Sequence, residues 1–282
     1  KPFDLSEPPL IRFALIEVAQ GQWKFAVTNH HILTDGWSVP LLMKDLLVLY
    51  ATRGDASLLP RVGSYRSFLA WLGSRDRAAS SAAWSAALDG LSEPTLMASA
   101  PRADRAISSR ADEYEARIDA ETTANLAEIA GRLGVTLNTV VQTAWGLLLG
   151  RMTGREDVVF GATVSGRPAE LTGVETMVGL FINTLPVRIR IGESDTIASV
   201  AMRVQAEQAD LIDHHYVGLA DITRNVGIGP LFDTLVVFES YPVDEQGLVE
   251  RATSIGDMSV TGVSSNDNTH YPVTLAVSVG VE

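Results

Sequence analysis

The chain has no cysteine among its 282 residues. This absence excludes disulfide bridges, thiolate metal sites and a cysteine nucleophile, and it is compatible with the cytoplasmic location that we expect. Long apolar runs are missing as well, so we expect no helix that spans a bilayer. The opening residues 1–7 do not have the pattern of a signal peptide. Short repeats and low-complexity tracts are also lacking, which indicates an ordinary globular chain.

Positive charge is scarce in this chain. Lys and Arg number 22 against 34 Asp and Glu, which gives a formal net charge of −12 at pH 7. An acidic surface repels phosphate backbones, so we expect no nucleic acid as a partner. The lack of a long apolar run predicts no membrane partner. Basic clusters at Arg75 and Arg77 and within residues 102–110 are interpreted as solvated surface, because charged side chains are mostly exposed.

Apolar residues make up 46% of the chain and recur with strand and helix periods, which predicts a sizeable core. Strands are predicted at residues 23–29, 113–118, 158–164, 185–191, 234–238 and 273–281. Helices are predicted at residues 39–51, 64–88, 120–133, 137–152 and 197–212. Ser38 is predicted as the N-cap of the first helix, and Gly134 as the end of the third. This mixture of helices and strands indicates the α/β or α+β class.

One stretch has no clear period. Residues 92–109 carry prolines, small residues and charges, which is typical of a linker or crossover between subdomains. The predicted organisation is therefore an N-terminal part at residues 1–105 and a C-terminal subdomain at residues 106–282.

The run His30-His31-Ile-Leu-Thr-Asp35-Gly36 stands between the first predicted strand and the first predicted helix. Adjacent side chains of a strand point to opposite faces, which argues against a zinc site made of His30, His31 and Asp35. We expect one histidine to face a cavity and the other to pack inward. Asp35 is expected to cap the turn or to pair with an arginine, and Gly36 allows close backbone approach. Taken alone, the run also fits a polar strand end with an Asp-Gly turn.

This run resembles the His-His-x-x-x-Asp-Gly core motif of condensation domains of nonribosomal peptide synthetases. Other segments resemble further motifs of that family, in the expected order and over nearly the whole chain. They are Ser64–Trp71, Ser165–Pro168, Met177–Arg188, His214–Ile222 and Gly229–Phe238. In the first of them, Ser67 stands where the family usually has an acidic residue.

The resemblance implies a chloramphenicol acetyltransferase-like fold, an α/β (α+β) two-layer sandwich with two similar subdomains in a V shape. The family's first two motifs, of the types Ser-x-Ala-Gln-x-Arg-Leu-Trp and Arg-His-Glu-x-Leu-Arg, are absent from this sequence. The family domain also continues beyond the strand predicted at residues 273–281. We therefore expect an internal fragment with an incomplete N-terminal subdomain. A missing first strand would leave a sheet edge unpaired, which weakens the case for activity of the isolated chain.

Resemblance also indicates which member of the family this chain is. Cyclization domains of the family carry aspartates in place of the two histidines, and epimerization domains usually differ where Asn183–Arg188 stands. Recruitment domains usually have a damaged histidine motif, whereas this one is intact. Asp35–Ser38 together with Val178–Pro186 resembles the condensation subtype that accepts a donor peptide ending in a D-residue.

The resemblance implies that an acceptor α-amine attacks a donor thioester to form a peptide bond. Both substrates would be carried on the 4'-phosphopantetheine arms of upstream and downstream peptidyl carrier proteins, beside an adenylation domain. No covalent cofactor and no metal are implied for the domain itself. The two arms would meet at His31 in a tunnel between the subdomains. Because an α-amine titrates near pH 7.7–8.0, His31 either accepts its proton or orients the amine and stabilises the tetrahedral intermediate.

Individual residues are assigned by the same resemblance. The catalytic set is His31, Asp35, Gly36 and His30. The substrate tunnel is lined by Trp37, Ser38, Asn183 and Arg167. Apart from the resemblance, we expect Asp35 to pair with an arginine from the second half of the chain, and the candidates are Arg151 and Arg167. Plainer alternatives remain open, because exposed arginines, turn asparagines and core tryptophans are common. The remaining histidines are expected to be structural or surface residues, namely His214, His215 and His270.

Two other functions are compatible with this sequence. One is an acyltransferase of the same fold that uses free or CoA-bound acyl donors and no carrier protein. The other is a non-catalytic platform that docks carrier proteins.

Overall fold

A computed structural model describes residues 3–98, 112–239, 258–264 and 269–280. The chain divides into two compact units that interleave along the sequence. The described residues of the first unit are 3–75, 167–182 and 258–264. Those of the second unit are 76–98, 112–166, 183–239 and 269–280. The predicted boundary between residues 105 and 106 lies outside the described residues.

The described part of the chain forms six strands and seven α-helices. The strands are β1 (Ile11–Ala19), β2 (Gln22–Asn29), β3 (Asp157–Val164), β4 (Asn183–Arg190), β5 (Thr234–Glu239) and β6 (Val273–Ser278). The helices are α1 (Ser38–Ala51), α2 (Tyr65–Gly73), α3 (Arg77–Ala87), α4 (Ala120–Leu133), α5 (Leu137–Thr153), α6 (Ile197–Asp210) and α7 (Leu219–Val226).

In the first unit, β1 and β2 form a two-stranded antiparallel sheet. The register places Phe13 opposite Val27 and Leu15 opposite Phe25, so apolar side chains share one face. The rings of Phe13 and Phe25 stack with centroids 6.0 Å apart, yet Phe13 remains 62% exposed. The apolar core of this unit is formed by buried residues of other segments, namely Phe68, Val174, Met177 and Phe181.

Strand β2 and helix α1 confirm the predictions on both sides of the histidine run. The expected helix cap is wrong, however. Ser38 is the first helical residue, and Trp37 occupies the N-cap position without a side-chain cap. The carboxylate of Asp35 accepts the hydrogen bond of the Ser38 amide instead, so the first turn is capped from outside the helix.

The single helix predicted at residues 64–88 is wrong, because the chain breaks there into α2 and α3. Ser64 caps α2 by accepting the amide of Arg66. The carboxylate of Asp76 accepts the amides of Ala78 and Ala79 at 2.9 and 3.0 Å and starts a new helix. Residues 73–77 contain no large apolar residue, so the sequence carries a signal for this break that the prediction did not use.

The second unit contains a four-stranded sheet in the order β4-β3-β5-β6. Strand β3 is antiparallel to β4 and parallel to β5, and β5 is parallel to β6. All four strands and helices α4, α5 and α6 were predicted from periodicity and are confirmed within a few residues at each end. Helix α4 ends at Gly134, which adopts the left-handed conformation as predicted. The centre of the core is fully buried and consists of Leu149, Val158, Phe160 and Ile189.

Two departures from prediction concern this unit. The strand predicted at residues 113–118 is wrong, because residues 112–119 form neither helix nor strand and Tyr114 is fully exposed. Alternation of apolar and charged residues is not sufficient for a strand, which also needs a partner to pair with. Helix α7 was not predicted, although Leu219, Ile222 and Val226 have helical spacing.

No single described helix is long and apolar enough to cross a membrane. Helices α4 and α5 meet the length and composition criteria only together, and the pair is bent by 99°.

Candidate functional site

The loop between β2 and α1 is held by its own backbone. The amide of His30 donates to the carbonyl of Leu10 at 2.9 Å, and the amide of Leu33 donates back to the carbonyl of His30 at 3.0 Å. The side chain of His31 is exposed, whereas Thr34 is buried a few residues further on. The imidazole of His31 is therefore accessible while the base of the loop is fixed.

Main-chain partners assign a proton position to each ring of the histidine pair. His31 Nδ1 lies 3.2 Å from the carbonyl oxygen of Thr34. A carbonyl only accepts hydrogen bonds, so Nδ1 carries the proton and the neutral ring has its lone pair on Nε2. His30 has the opposite arrangement, because its Nδ1 accepts the amide hydrogen of Ile32 at 3.1 Å. These contacts favour different tautomers for the two neutral rings.

The carboxylate of Asp35 is 3% exposed and fully engaged. Its Oδ1 accepts the amide of Ser38 at 2.9 Å and the hydroxyl of Ser38 at 2.7 Å. Its Oδ2 accepts the amide of Phe181 at 3.0 Å, and the Asp35 amide donates to the carbonyl of Gly179 at 3.2 Å. Asp35 therefore joins the start of α1 to the segment 167–182, which lies more than 130 residues further along the chain.

Arg167 supplies the positive charge beside this carboxylate. Its Nη2 donates to Asp35 Oδ1 and to the hydroxyl oxygen of Ser38, both at 3.2 Å. Its Nη1 donates to the carbonyl of Met177 at 2.9 Å. The guanidinium carbon lies 3.9 Å from the centre of the Phe181 ring. The side chain is 5% exposed, so the ion pair with Asp35 is shielded from water.

Burial and charge shift two pKa values at this site. Burial lowers the pKa of Arg167, and the negative charge of Asp35 partly opposes that change. Arginine stays protonated at any physiological pH, so the ion pair is retained. Burial, with a smaller contribution from Asp35, raises the pKa of Tyr65. Tyr65 therefore remains a neutral phenol, and its hydroxyl donates to the carbonyl of Leu180 at 2.6 Å.

Most partners in segment 167–182 are main-chain atoms. The indole Nε1 of Trp37 donates to the carbonyl of Glu175 at 2.8 Å. The hydroxyl of Ser38 lies 2.9 Å from the carbonyl and 3.1 Å from the amide of Gly179. A Cβ on Gly179 would lie 2.2 Å from the ring of Tyr65, so only glycine fits at this position.

The structure thus gathers most of the predicted site residues in the first unit. They are His30, His31, Asp35, Gly36, Trp37, Ser38 and Arg167. Of the two predicted partners of Asp35, Arg167 makes the contact. Arg151 is an exposed residue in the last turn of α5, in the second unit. Ser38 has no exposed surface in this structure, and the lining of a tunnel by Trp37, Ser38 and Arg167 stays a prediction.

Asn183 lies in the second unit at the start of β4. Its Nδ2 donates to the carbonyls of His215 and Val217 at 2.8 and 2.7 Å, and its Oδ1 accepts the amide of Thr184 at 2.9 Å. The side-chain amide is therefore used to hold the turn that contains His215. Its predicted place in the tunnel stays a prediction.

The other histidines make structural contacts or lie at the surface. His214 Nδ1 lies 2.9 Å from the hydroxyl of the buried Ser80. Burial and the neighbouring His214 lower the pKa of His215 to about 4. His270 is exposed and packs against the ring of Tyr271. No group of three or more His, Cys, Asp or Glu side chains that could hold a metal lies within the described ranges.

Sequence reasoning missed several residues that build this site. They are Asn29, Thr34, Tyr65, Gly179 and Phe181. Most of them contribute a main-chain atom or a close approach, which the side-chain type does not reveal. Asn29 and Thr34 are polar residues at the ends of the histidine loop, and that position was the available signal.

Comparison with known proteins finds similarity to a single family. The family model of the condensation domain matches residues 1–281. Chondramide synthase cmdD of Chondromyces crocatus is 38% identical over 281 residues, which cover 98% of this chain and 7% of that protein. Bacitracin synthase 3 of Bacillus licheniformis is 35% identical over 287 residues, which cover 100% of this chain and 4% of that protein.

Solved structures share the fold. The first condensation domain of the CDA synthetase has a TM-score of 0.65 and 25% identity, with 86% of this chain and 55% of that chain covered. The X-domain from teicoplanin biosynthesis has a TM-score of 0.65 and 23% identity, with 84% and 56% covered. The predicted α/β class with a chloramphenicol acetyltransferase-like fold is confirmed. The chain spans a small part of these curated relatives and slightly more than half of these solved chains.

Proposed function

Because the chain belongs to the condensation domain family, we propose that it forms peptide bonds in nonribosomal peptide synthesis. An acceptor α-amine attacks the carbonyl carbon of a donor thioester. The new C–N bond forms, the C–S bond breaks, and its electron pair leaves with the sulfur. The amine nitrogen loses one proton and the departing thiolate gains one. The chemistry therefore needs a group that moves one proton between two nearby positions.

The observation that carries this proposal is the contact of His31 Nδ1 with the carbonyl oxygen of Thr34 at 3.2 Å. With the proton on Nδ1, the neutral ring presents a lone pair on Nε2 from an accessible side chain. An α-amine titrates near pH 7.7–8.0, so much of it is already neutral before attack. The nitrogen becomes strongly acidic only once it is bonded to the carbonyl carbon. Nε2 is suited to accept a hydrogen bond from the amine first and its proton afterwards, which it then gives to the sulfur.

The buried ion pair supports this role by fixing the loop. Asp35 and Arg167 hold the end of the histidine loop through contacts that solvent does not reach. A general base gains from such fixation, because a misplacement of about 1 Å can cost about a hundredfold in rate. In this proposal Asp35 and Arg167 are positioning residues, and His31 is the residue that contacts the substrate.

The proposed substrates and partners follow from the family. The donor and acceptor are aminoacyl or peptidyl groups on the 4'-phosphopantetheine arms of upstream and downstream peptidyl carrier proteins, and an adenylation domain acts beside them. The named relatives, such as bacitracin synthase 3, support synthesis of a peptide product. We further propose a donor that ends in a D-residue and a cytoplasmic location. Tethering of both substrates makes the bimolecular step effectively intramolecular, which lowers its barrier by several kcal/mol.

A single-round condensation assay tests the proposal. The full-length gene product receives a donor-loaded and an acceptor-loaded carrier protein, and the amide product is quantified over time. We expect His31→Ala to lower the rate at least about a hundredfold, because proton transfer contributes that much. The matched control is His270→Ala, which changes an exposed histidine of the second unit and is expected to retain the wild-type rate.

Near-wild-type product formation by His31→Ala would contradict the proposal. Equal rates with a CoA-bound donor would favour a carrier-independent acyltransferase. Carrier binding without product in the wild-type protein would favour a docking platform. The subtype is tested with two donors that differ only in whether the last residue has the D- or the L-configuration. Equal rates for the two donors would contradict the proposed D-configuration.

A further inference from the structure

A side-chain pair closes the histidine loop independently of the ion pair. Asn29 is the last residue of β2, and its Nδ2 donates to the hydroxyl oxygen of Thr34 at 2.7 Å. Thr34 is 5% exposed, so water competes little for this hydrogen bond. The bond spans the loop that carries His31.

The peptide unit between Thr34 and Asp35 links this pair to His31. It is planar and trans, so its C=O and N–H point in opposite directions. The N–H, which belongs to Asp35, donates to the carbonyl of Gly179 at 3.2 Å. The C=O, which belongs to Thr34, faces His31 Nδ1 at 3.2 Å. A contact that fixes the plane of this peptide therefore also fixes the carbonyl oxygen of Thr34 relative to the ring of His31.

Gly179 and Asn29 restrain that plane from two sides. Gly179 accepts the N–H, which sets the direction of the peptide dipole. Asn29 holds the Thr34 side chain and so limits rotation about the bonds at its Cα. Aligned hydrogen bonds polarise one another, so the chain from the ring through the peptide to Gly179 strengthens the bond at Nδ1. A fixed acceptor at Nδ1 decides which nitrogen of a neutral imidazole keeps its lone pair.

We propose that Asn29 and Thr34 are positioning residues for His31, which keep its proton on Nδ1 and its lone pair on Nε2. The inference rests on the proposed function of His31 as the proton acceptor. When Nε2 takes the amine proton, the ring becomes an imidazolium with two N–H donors, and the Thr34 carbonyl accepts the one at Nδ1. Without the Asn29–Thr34 bond, the carbonyl can turn away and the Nε2–H tautomer competes. That tautomer has no lone pair where the substrate arrives.

Three variants separate this role from a general effect on folding. Thr34→Val removes the hydroxyl but keeps the branched shape and the main-chain carbonyl. Thr34→Ser keeps the hydroxyl and serves as the conservative rescue. Thr28→Val is the matched control, because Thr28 is an exposed residue next to Asn29 on β2. Asn29→Ala removes the other partner and repeats the test should Thr34→Val not fold.

The first readout is independent of activity. Nitrogen-15 NMR of histidine-labelled chain distinguishes a protonated from an unprotonated ring nitrogen, and with five histidines in the sequence the His31 signals are assigned by His31→Gln. We expect wild type, Thr34→Ser and Thr28→Val to show the Nδ1–H form. Thr34→Val and Asn29→Ala are expected to raise the ratio of Nε2–H to Nδ1–H at His31 about fivefold, which corresponds to the loss of one hydrogen bond.

The second readout is the single-round condensation rate of the full-length gene product. Loss of the correct tautomer lowers kcat and leaves KM unchanged, so we expect kcat of Thr34→Val to fall about fivefold and that of Thr34→Ser to recover. An unchanged tautomer ratio in folded Thr34→Val and Asn29→Ala would overturn the inference. If Thr34→Val and Asn29→Ala shift the tautomer ratio but the wild-type protein forms no amide, the proposed function is overturned. The positioning role is still supported in that case.

Discussion

Arg167 carries a full charge although its side chain is 5% exposed. An unpaired charge at such a position would cost several kcal/mol, so its partners decide whether it is tolerated. Asp35 supplies the opposite charge, and the carbonyls of Val174 and Met177 accept the Nη1 hydrogens. The planar fork of the guanidinium is what lets one side chain reach the carboxylate and the main chain in different directions.

We expect Arg167→Lys to destabilise the protein by about 3 kcal/mol, because one ammonium cannot reach all these acceptors and leaves the buried carboxylate poorly paired. The measurement is the free energy of unfolding from urea titration. The control is Arg224→Lys, which alters an exposed ion pair with Asp221 and should change stability by less than about 0.5 kcal/mol. A similarly small effect of Arg167→Lys would contradict the buried role of the ion pair.

At this scale the sequence indicates His31 and Asp35 but not how they are held. Arg151 and Arg167 are equally plausible partners in the sequence, because contact between distant residues depends on the fold. The contact of His31 Nδ1 is with a main-chain atom, the carbonyl oxygen of Thr34, and nothing in the residue type of Thr34 announces it. Main-chain contacts of this kind leave no trace in the residue types.

Among the elements, the segment 167–182 is unusual because its apolar residues make hydrogen bonds to polar side chains through their main-chain atoms. Gly179 is the tightest point, since its amide and carbonyl both contact the hydroxyl of Ser38 while the ring of Tyr65 covers its Cα. The same element therefore contributes to the apolar core of the first unit and closes the polar network around Asp35.

We expect Gly179→Ala to destabilise the protein by about 2 kcal/mol, because a Cβ would lie 2.2 Å from the ring of Tyr65 and force the segment away from Ser38. Thermal and urea unfolding measure the effect. Gly73→Ala is the matched control, since a Cβ there meets no atom within 4 Å and stability should change by less than about 0.5 kcal/mol. Equal stability of the two variants would show that the segment adapts without loss.

Periodicity predicts the elements of the second unit well, because strands such as β3 are buried on both faces and read as continuous apolar runs. It fails where a local polar contact decides the outcome. Helix α2 ends at Gly73 and Asp76 caps the start of α3, whereas the prediction ran one helix through the polar residues between them. Residues 113–118 alternate like a strand but have no strand beside them in the described structure.

At the scale of the whole molecule, both units bury polar groups. The first unit encloses the Asp35–Arg167 ion pair, and the second holds the Arg188–Asp157 pair and the half-buried His215. His215 lies at a cavity of about 40 Å³ beside Leu185 and Gln208. Burial disfavours the charged ring, and the adjacent His214 adds to the effect, so the pKa of His215 falls to about 4.

This shift predicts a loss of stability in mild acid. The unfolded chain binds a proton at His215 near pH 6.5, whereas the folded chain does so only near pH 4. Stability from this group is therefore complete above about pH 6.5 and lost progressively as the pH falls towards 4. Between pH 7.5 and 5.5 we expect it to contribute a decrease of about 1 kcal/mol in the free energy of unfolding.

Urea titrations of wild type and His215→Gln at both pH values isolate this contribution from that of the many carboxylates. The variant should lose about 1 kcal/mol less than wild type between the two pH values. His270→Gln, at an exposed histidine, should follow wild type. If all three proteins lose the same free energy of unfolding between the two pH values, protonation of His215 is not the cause of the loss.

The α/β class is readable from the mixture of periods along the chain, and it is confirmed. The grouping into units is harder to read, because residues 167–182 belong with residues 3–75 and not with their neighbours. A linker composition describes only the segment in which it occurs. It does not record that a later segment returns to an earlier part of the fold.

The bonds between Asp35 and segment 167–182 set a rule for chimeric domains. Any exchange point between residues 38 and 167 takes the two sides from different parents. Asp35 and Ser38 mostly contact main-chain atoms of the later segment, which every parent supplies. The polar network depends on the residue type at two positions of this segment. Arg167 pairs with Asp35 through its side chain, and Gly179 has no room for a Cβ. Parents that agree at these positions therefore keep the polar network, and the apolar residues of the segment must still pack against Phe68.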